Sequence, residues 1–145
     1  MPRRHPKKPP KDLDISGNLR LLTELESPLD PTALFCRPGP VELEVGTGKG
    51  MFLTSVTSAC PDRNFVGIEI SAGYARMAAS RLASSNTANG LVIHGDAMHL
   101  VRHSLPNKSL SGLHVYFPDP WWKARHRKRD RKSTRLNSSH TVISY

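Results

Sequence analysis

Val41-Glu42-Leu43-Glu44-Val45-Gly46-Thr47-Gly48-Lys49-Gly50 decides the fold of this chain. Val41 to Val45 read as a short buried strand, with Glu44 interrupting the apolar run one residue before its end. Three glycines alternate at Gly46, Gly48 and Gly50. Phe52, Val56 and Ala59 then follow at the spacing of one helical face. Strand, glycine turn and helix make the first half of a βαβ nucleotide site. Gly-x-Gly-x-Gly is also a common tight turn, and alone the two readings weigh about equally. A second acid downstream, Glu69, favours the ligand site.

The same alternation continues outward. Phe65 to Ile70 read as a second strand, Leu91 to Asp96 as a third and Leu113 to Phe117 as a fourth. Between them, Tyr74, Ala75, Ala78, Ala79 and Leu82 share a predicted helix face after a Ser71 cap, and Met98 to Leu105 form a short helix. Upstream, Leu19 to Leu25 are expected to form a brief helix. Asp30-Pro31 starts another, with Asp as cap and Pro at the first helical position. Strands alternating with helices imply a parallel α/β sheet with right-handed crossovers. The ligand crevice of such a sheet lies at the carboxyl ends of its strands. All four predicted strand ends carry an acid: Glu44, Glu69, Asp96 and Asp119.

Composition sets outer bounds. The 145 residues suit one domain at most, with 37% hydrophobic residues and a formal net charge of +9. The charge is concentrated at Arg3 to Lys11 and Lys123 to Arg135. Two basic ends around a balanced middle suggest a polyanionic partner, RNA or DNA; solvated, disordered runs are the plainer alternative. Met1 to Lys11 hold four prolines and five Lys or Arg residues and read as a flexible arm. Cys36 and Cys60 have no metal or disulfide spacing, which suits a reduced, cytoplasmic setting. No stretch is long and apolar enough for a membrane span, and no apolar region follows the basic start. His99 and His103 stand four apart, but no third ligand follows, so no metal site is expected.

The acids constrain the ligand. Glu69 lies 23 residues beyond Gly46, near the roughly 20-residue spacing that places an acid on a ribose diol. That spacing alone leaves NAD and S-adenosylmethionine both open. The shorter glycine run and Glu44 lean toward S-adenosylmethionine, whose sulfonium and ammonium suit acids that repel a pyrophosphate. A phosphate loop is excluded because Lys49 is followed by Gly50 rather than Ser or Thr. Phe117-Pro118-Asp119-Pro120-Trp121-Trp122 fixes Asp119 between two prolines and adds two flat side chains. Lys123, Arg125, His126, Arg127, Lys128 and Arg129 follow directly, a basic track beside aromatic surface.

From about Val41 to Arg129 the chain resembles the bacterial tRNA (guanine-N7)-methyltransferases, which act on guanine 46 of the tRNA variable loop. The resemblance rests on Leu43 to Gly50, Gly67-Ile68-Glu69-Ile70, Gly95-Asp96-Ala97 and, most specifically, Tyr116 to His126. It implies a Rossmann-like, S-adenosylmethionine-dependent methyltransferase fold. Glu44, Glu69, Asp96 and Asp119 fall on cofactor positions and Asp119 also on the proposed catalytic position; Gly46 and Gly48 join the cofactor site as bare backbone against which a ligand can lie. Lys123 falls on a tRNA contact, with Arg125 and Arg127 beside it in the basic track. The family's later acid and Thr-x-x-Glu segment have no counterpart after Arg129, and Arg131 to Tyr145 read as an unrelated tail. The expected organisation is therefore a basic arm over 1–18, a partial methyltransferase domain of the first four strands over 19–130, and a disordered tail over 131–145. A monomer without metal, with tRNA as partner, is expected. The competing readings are a non-catalytic RNA-binding fragment and an NAD-dependent oxidoreductase.

Overall fold

The computed structural model describes residues 10–116 and 141–143. It contains six strands: β1 (Leu19–Leu21), β2 (Val41–Val45), β3 (Asn64–Glu69), β4 (Gly90–His94), β5 (Gly112–Val115) and β6 (Thr141–Ile143). They form one sheet in the order β1-β4-β3-β2-β5-β6. The first five run parallel, and β6 pairs antiparallel with β5. Helix α1 (Met51–Ala59) links β2 to β3, and α2 (Ala72–Ser84) links β3 to β4. Helix α3 (Ala97–His99) continues as a π-helical turn over Leu100–Ser104 before β5.

The parallel α/β fold follows from the apolar runs. Leu43 pairs with Val66 and Val45 with Ile68, so the alternate residues of β2 and β3 share one face. That face packs with Ile93, Leu100, Leu110 and Leu29. The other face, with Phe65 and Val92, is covered by Leu53 of α1 and by Ala75, Ala78, Ala79 and Leu82 of α2.

Several elements differ from the sequence reading. Where a helix is predicted over Leu19 to Leu25, the chain forms strand β1 and then a short 3-10 turn, Leu22–Glu24. Long-range pairing overrides local preference here: Leu19 lies beside Val92, and Asn18 Nδ2 donates to the carbonyls of Thr87 and Gly90 at 3.1 and 3.0 Å. In α1 the buried stripe is Leu53 and Thr57, one position beyond the predicted Phe52–Val56 stripe, and Ala59 is exposed. Thr57 tolerates burial because its hydroxyl donates to the Leu53 carbonyl at 2.8 Å. In α2 the predicted face is buried except for Tyr74, which is exposed. β6 lies within the stretch read as a disordered tail and covers the outer edge of β5.

Gly50 joins the glycine turn to both helices. It precedes α1 at φ 80°, and a Cβ there would fall 2.8 Å from the Cα of Ala78. Left-handed backbone and close helix contact both exclude a side chain. Gly50→Ala is expected to destabilise the fold by on the order of 2–4 kcal/mol in denaturant unfolding. Gly73→Ala, in α2 with open space around it, should instead stabilise by about 0.5–1 kcal/mol.

Candidate cofactor crevice

The parallel strands bring Glu44, Glu69 and Asp96 to one edge of the sheet. Glu44 is the penultimate residue of β2, Glu69 is the last residue of β3, and Asp96 lies two residues beyond β4. Asp119, Lys123, Arg125 and Arg127 lie outside the described residues, as does the whole Phe117–Trp122 segment.

Glu69 holds the glycine turn. Its Oε1 accepts from the Gly48 N–H at 3.0 Å and its Oε2 from the Ser71 N–H at 2.8 Å. One carboxylate thus ties the β2–α1 turn to the start of α2, where the Ser71 hydroxyl accepts from the Tyr74 N–H at 3.4 Å. Three other turn amides are also occupied. Gly46 and Thr47 donate to the Ile68 carbonyl at 2.9 and 3.1 Å, and Gly50 donates to the Thr47 carbonyl at 3.0 Å. A phosphate needs such N–H groups pointing outward; here those of Gly46, Thr47, Gly48 and Gly50 are spent on the protein itself. Gly46 and Gly48 have φ of 71° and 57°, and nothing lies within 4 Å of where their Cβ atoms would be. The turn therefore presents bare backbone and open space.

Glu44 is buried, at 4% exposure, and accepts a hydrogen bond from the Thr47 hydroxyl. Gly67 makes room for this pair, since a Cβ there would lie 2.6 Å from Thr47 Oγ1. Burial pushes the Glu44 carboxyl up to about 7; the Thr47 hydrogen bond opposes this, and the Glu69 charge adds to it. Asp96 is exposed and caps α3 by accepting from the Met98 N–H at 2.9 Å. It borders a cavity of about 470 Å³ lined by Leu21, Leu22, Thr23, His94 and His99. Met51, Ile70 and Met98, each next to a turn or acid of the edge, are exposed apolar side chains.

Three contributors escape the sequence reading. Thr47 sits inside the glycine turn, where its hydroxyl is masked by the motif. His94, at the end of β4, has Nε2 3.1 Å from the Ile70 carbonyl and so pins the residue after Glu69. Its place beside Glu69 follows only from the strand register. Glu42 is the third; its spacing of two from Glu44 puts both on one sheet face, a signal present in the sequence. Among the described residues no helix is long and apolar enough to cross a membrane.

Glu44 gives the fold a pH dependence of definite sign. Its folded pKa of about 7 exceeds the ordinary 4.5, so between these values the folded chain holds a proton that the unfolded chain has released. Its contribution to stability should therefore decline as pH rises from about 4.5 to about 7, by on the order of 3 kcal/mol in all. Denaturant unfolding of the unaltered chain and of Glu44→Gln across this range should differ by that slope, with the decline flattened in the variant.

A family model described as "Putative methyltransferase" matches residues 38–144. The tRNA (guanine-N(7)-)-methyltransferase of Rhodopirellula baltica is 43% identical over 134 residues, covering 89% of this chain and 49% of the relative. That of Aeromonas hydrophila is 41% identical over 102 residues, covering 70% and 43%. That of Nitrosococcus oceani is 42% identical over 102 residues, covering 70% and 43%. The chain thus spans about half the length of the curated relatives it matches. A solved structure titled "Structure of a putative methyltransferase from Thermoplasma acidophilum" aligns with TM-score 0.45 and 19% identity, covering 74% of this chain and 49% of that one. The family match takes in the glycine turn, both helices and strands β2 to β5, and the chain belongs to this methyltransferase family.

Proposed function

We propose that the crevice binds S-adenosylmethionine and that the protein transfers its methyl group to N7 of guanine 46 in tRNA. The observation that carries this reading is the glycine turn, four of whose amides are internally bonded, while carboxylates line the same edge. Such a site offers few turn donors to a pyrophosphate but has acids for a cationic ligand. Glu44 suits the ammonium and sulfonium charges. Glu69 keeps acceptor capacity on each oxygen beyond its two backbone bonds, which suits a ribose diol. Asp96, beside the cavity at the end of β4, suits the adenine amino group. The relatives' name supplies the substrate atom and the nucleic acid.

When bound, the cofactor supplies an electrophilic methyl group on a cationic sulfur. Guanine N7 carries an accessible lone pair, so no strong base is required and alignment supplies much of the rate. The methylated base gains positive charge. Asp119, fixed between Pro118 and Pro120 in the sequence, is the residue proposed to stabilise that charge or to hold the guanine edge. Lys123, Arg125 and Arg127 are proposed to meet the tRNA phosphates.

Calorimetric titration should show S-adenosylmethionine binding and no NAD binding. Glu69→Ala should weaken the former by about 1.5–3 kcal/mol, the loss of hydrogen bonds to a charged group. Unchanged affinity in a folded variant would remove Glu69 from the ligand site.

Transfer itself is tested in a chimera in which the C-terminal half of a relative replaces the residues after Arg129. Labelled methyl should appear in tRNA as 7-methylguanosine after digestion. Neutralising Lys123, Arg125 and Arg127 should flatten the salt dependence of tRNA binding, by about 0.7–0.9 in log–log slope for each phosphate no longer engaged. Label in another base, or an unaltered slope, would refute the corresponding half of the proposal.

A further inference from the structure

Asn89 and Gly90 stand at the start of β4, at the end of the sheet opposite the crevice. Asn89 is buried, at 6% exposure, and its Nδ2 lies 3.0 Å from the Thr57 carbonyl, 3.2 Å from that of Cys60 and 3.0 Å from that of Arg63. All three neighbours are acceptors, so the position takes a side chain with N–H groups, whose two hydrogens are shared among them. The amide thereby joins the end of α1 to the chain entering β3. The Asn89 carbonyl in turn accepts from the Phe65 N–H at 2.8 Å. At Gly90 a Cβ would fall 2.9 Å from Leu82 Cδ2 and 3.0 Å from Thr57 Cγ2. Leu82 is fully buried, so the packing of α1 and α2 favours glycine here.

Hydrogen bonding at one position and packing at the next thus set asparagine before glycine, a pair that occurs once in the sequence. This pair is the one most open to loss of the side-chain amide, because no side chain shields the following main-chain nitrogen. In that reaction the Gly90 nitrogen gives up its proton and attacks Asn89 Cγ. The N–Cγ bond forms, the Cγ–Nδ2 bond breaks, and Nδ2 leaves as ammonia with the proton. Water then opens the cyclic imide at either carbonyl, giving an aspartate or an isoaspartate. The fold opposes the first step, since swinging Cγ over the Gly90 nitrogen strips Nδ2 from its three carbonyls. Asn18 holds the flanks, donating through Nδ2 to the carbonyls of Thr87 and Gly90 at 3.1 and 3.0 Å. The product opposes the fold in return. A carboxylate at this buried position would face three carbonyls with no hydrogen to give them.

We propose that Asn89 is a self-modification site guarded by the fold: opening of the junction between α1 and β4 exposes the Asn89–Gly90 pair to loss of its amide, and that loss makes the opening permanent. The site is independent of what the crevice binds.

The test follows the whole chain by peptide mapping and mass spectrometry during incubation in mildly alkaline buffer, with and without guanidinium chloride. Conversion of Asn89 to acid should be fast in denaturant and about tenfold or more slower in buffer. Asn86 and Asn107 should convert slowly in both, since the side chains of Thr87 and Lys108 shield the attacking nitrogen. In guanidinium below the unfolding transition, conversion should already rise, because local opening precedes global unfolding. Asn18→Ala removes the flanking bonds and should speed conversion several-fold in buffer while leaving the rate in denaturant unchanged. Chain converted in denaturant and returned to buffer should not regain the circular dichroism and cooperative unfolding of unconverted chain, and Asn89→Asp should reproduce that defect. Equal rates in buffer and denaturant would overturn the guarding by the fold. Conversion that rises only with the global transition, or an unchanged rate in folded Asn18→Ala, would overturn local opening as its trigger. Converted chain that refolds with unaltered stability would overturn the permanence.

Discussion

Both oxygens of Glu69 are committed to backbone N–H groups, one in the glycine turn and one at the start of α2. The two segments belong to different crossovers of the sheet, so this carboxylate joins what the chain keeps far apart. Its position is set by β3, whose residues pair on both sides with neighbouring strands. Charge-assisted bonds to backbone donors are among the stronger hydrogen bonds available to a fold. The turn, the helix it feeds and the edge of the crevice all take their placement from this point. Gly50 completes the arrangement by letting α1 and α2 approach to backbone contact.

The sheet interior is legible in the sequence because its physics is local to each segment. Phe65 to Ile68 is an apolar run bounded by turn residues, the pattern of a parallel strand buried on both faces, and Val41, Leu43 and Val45 alternate with two acids at strand spacing. Helix phase is less legible. Thr57 is buried and Ala59 exposed in α1, because a threonine that bonds its own helix carbonyl is no longer polar to its surroundings. Leu19 to Leu21 show the remaining limit. Their strand exists only through pairing with β4, more than seventy residues away, and nothing in Leu-Arg-Leu announces that partner.

The candidate site divides along the same line. Glu44, Glu69 and Asp96 are found by position relative to strand ends, which the sequence displays. Thr47, His94 and His114 act through cross-strand or turn contacts that depend on register. Glu42 stands between the two cases. Its parity with Glu44 is visible, yet its hydrogen-bond partner, His114, becomes evident only when Gly112 is seen to open a path across the sheet.

The hydrogen bonding of the turn divides its two acids by how freely each can be exchanged. Glu69 bonds main-chain donors, so any replacement loosens the frame as well as the wall of the crevice. Glu44 bonds a side chain instead, that of Thr47, and Thr47 can change with it. Under mutation, the end of β2 is therefore open to paired exchange of residues 44 and 47 without loss of a main-chain bond. The end of β3 is held constant by the architecture itself.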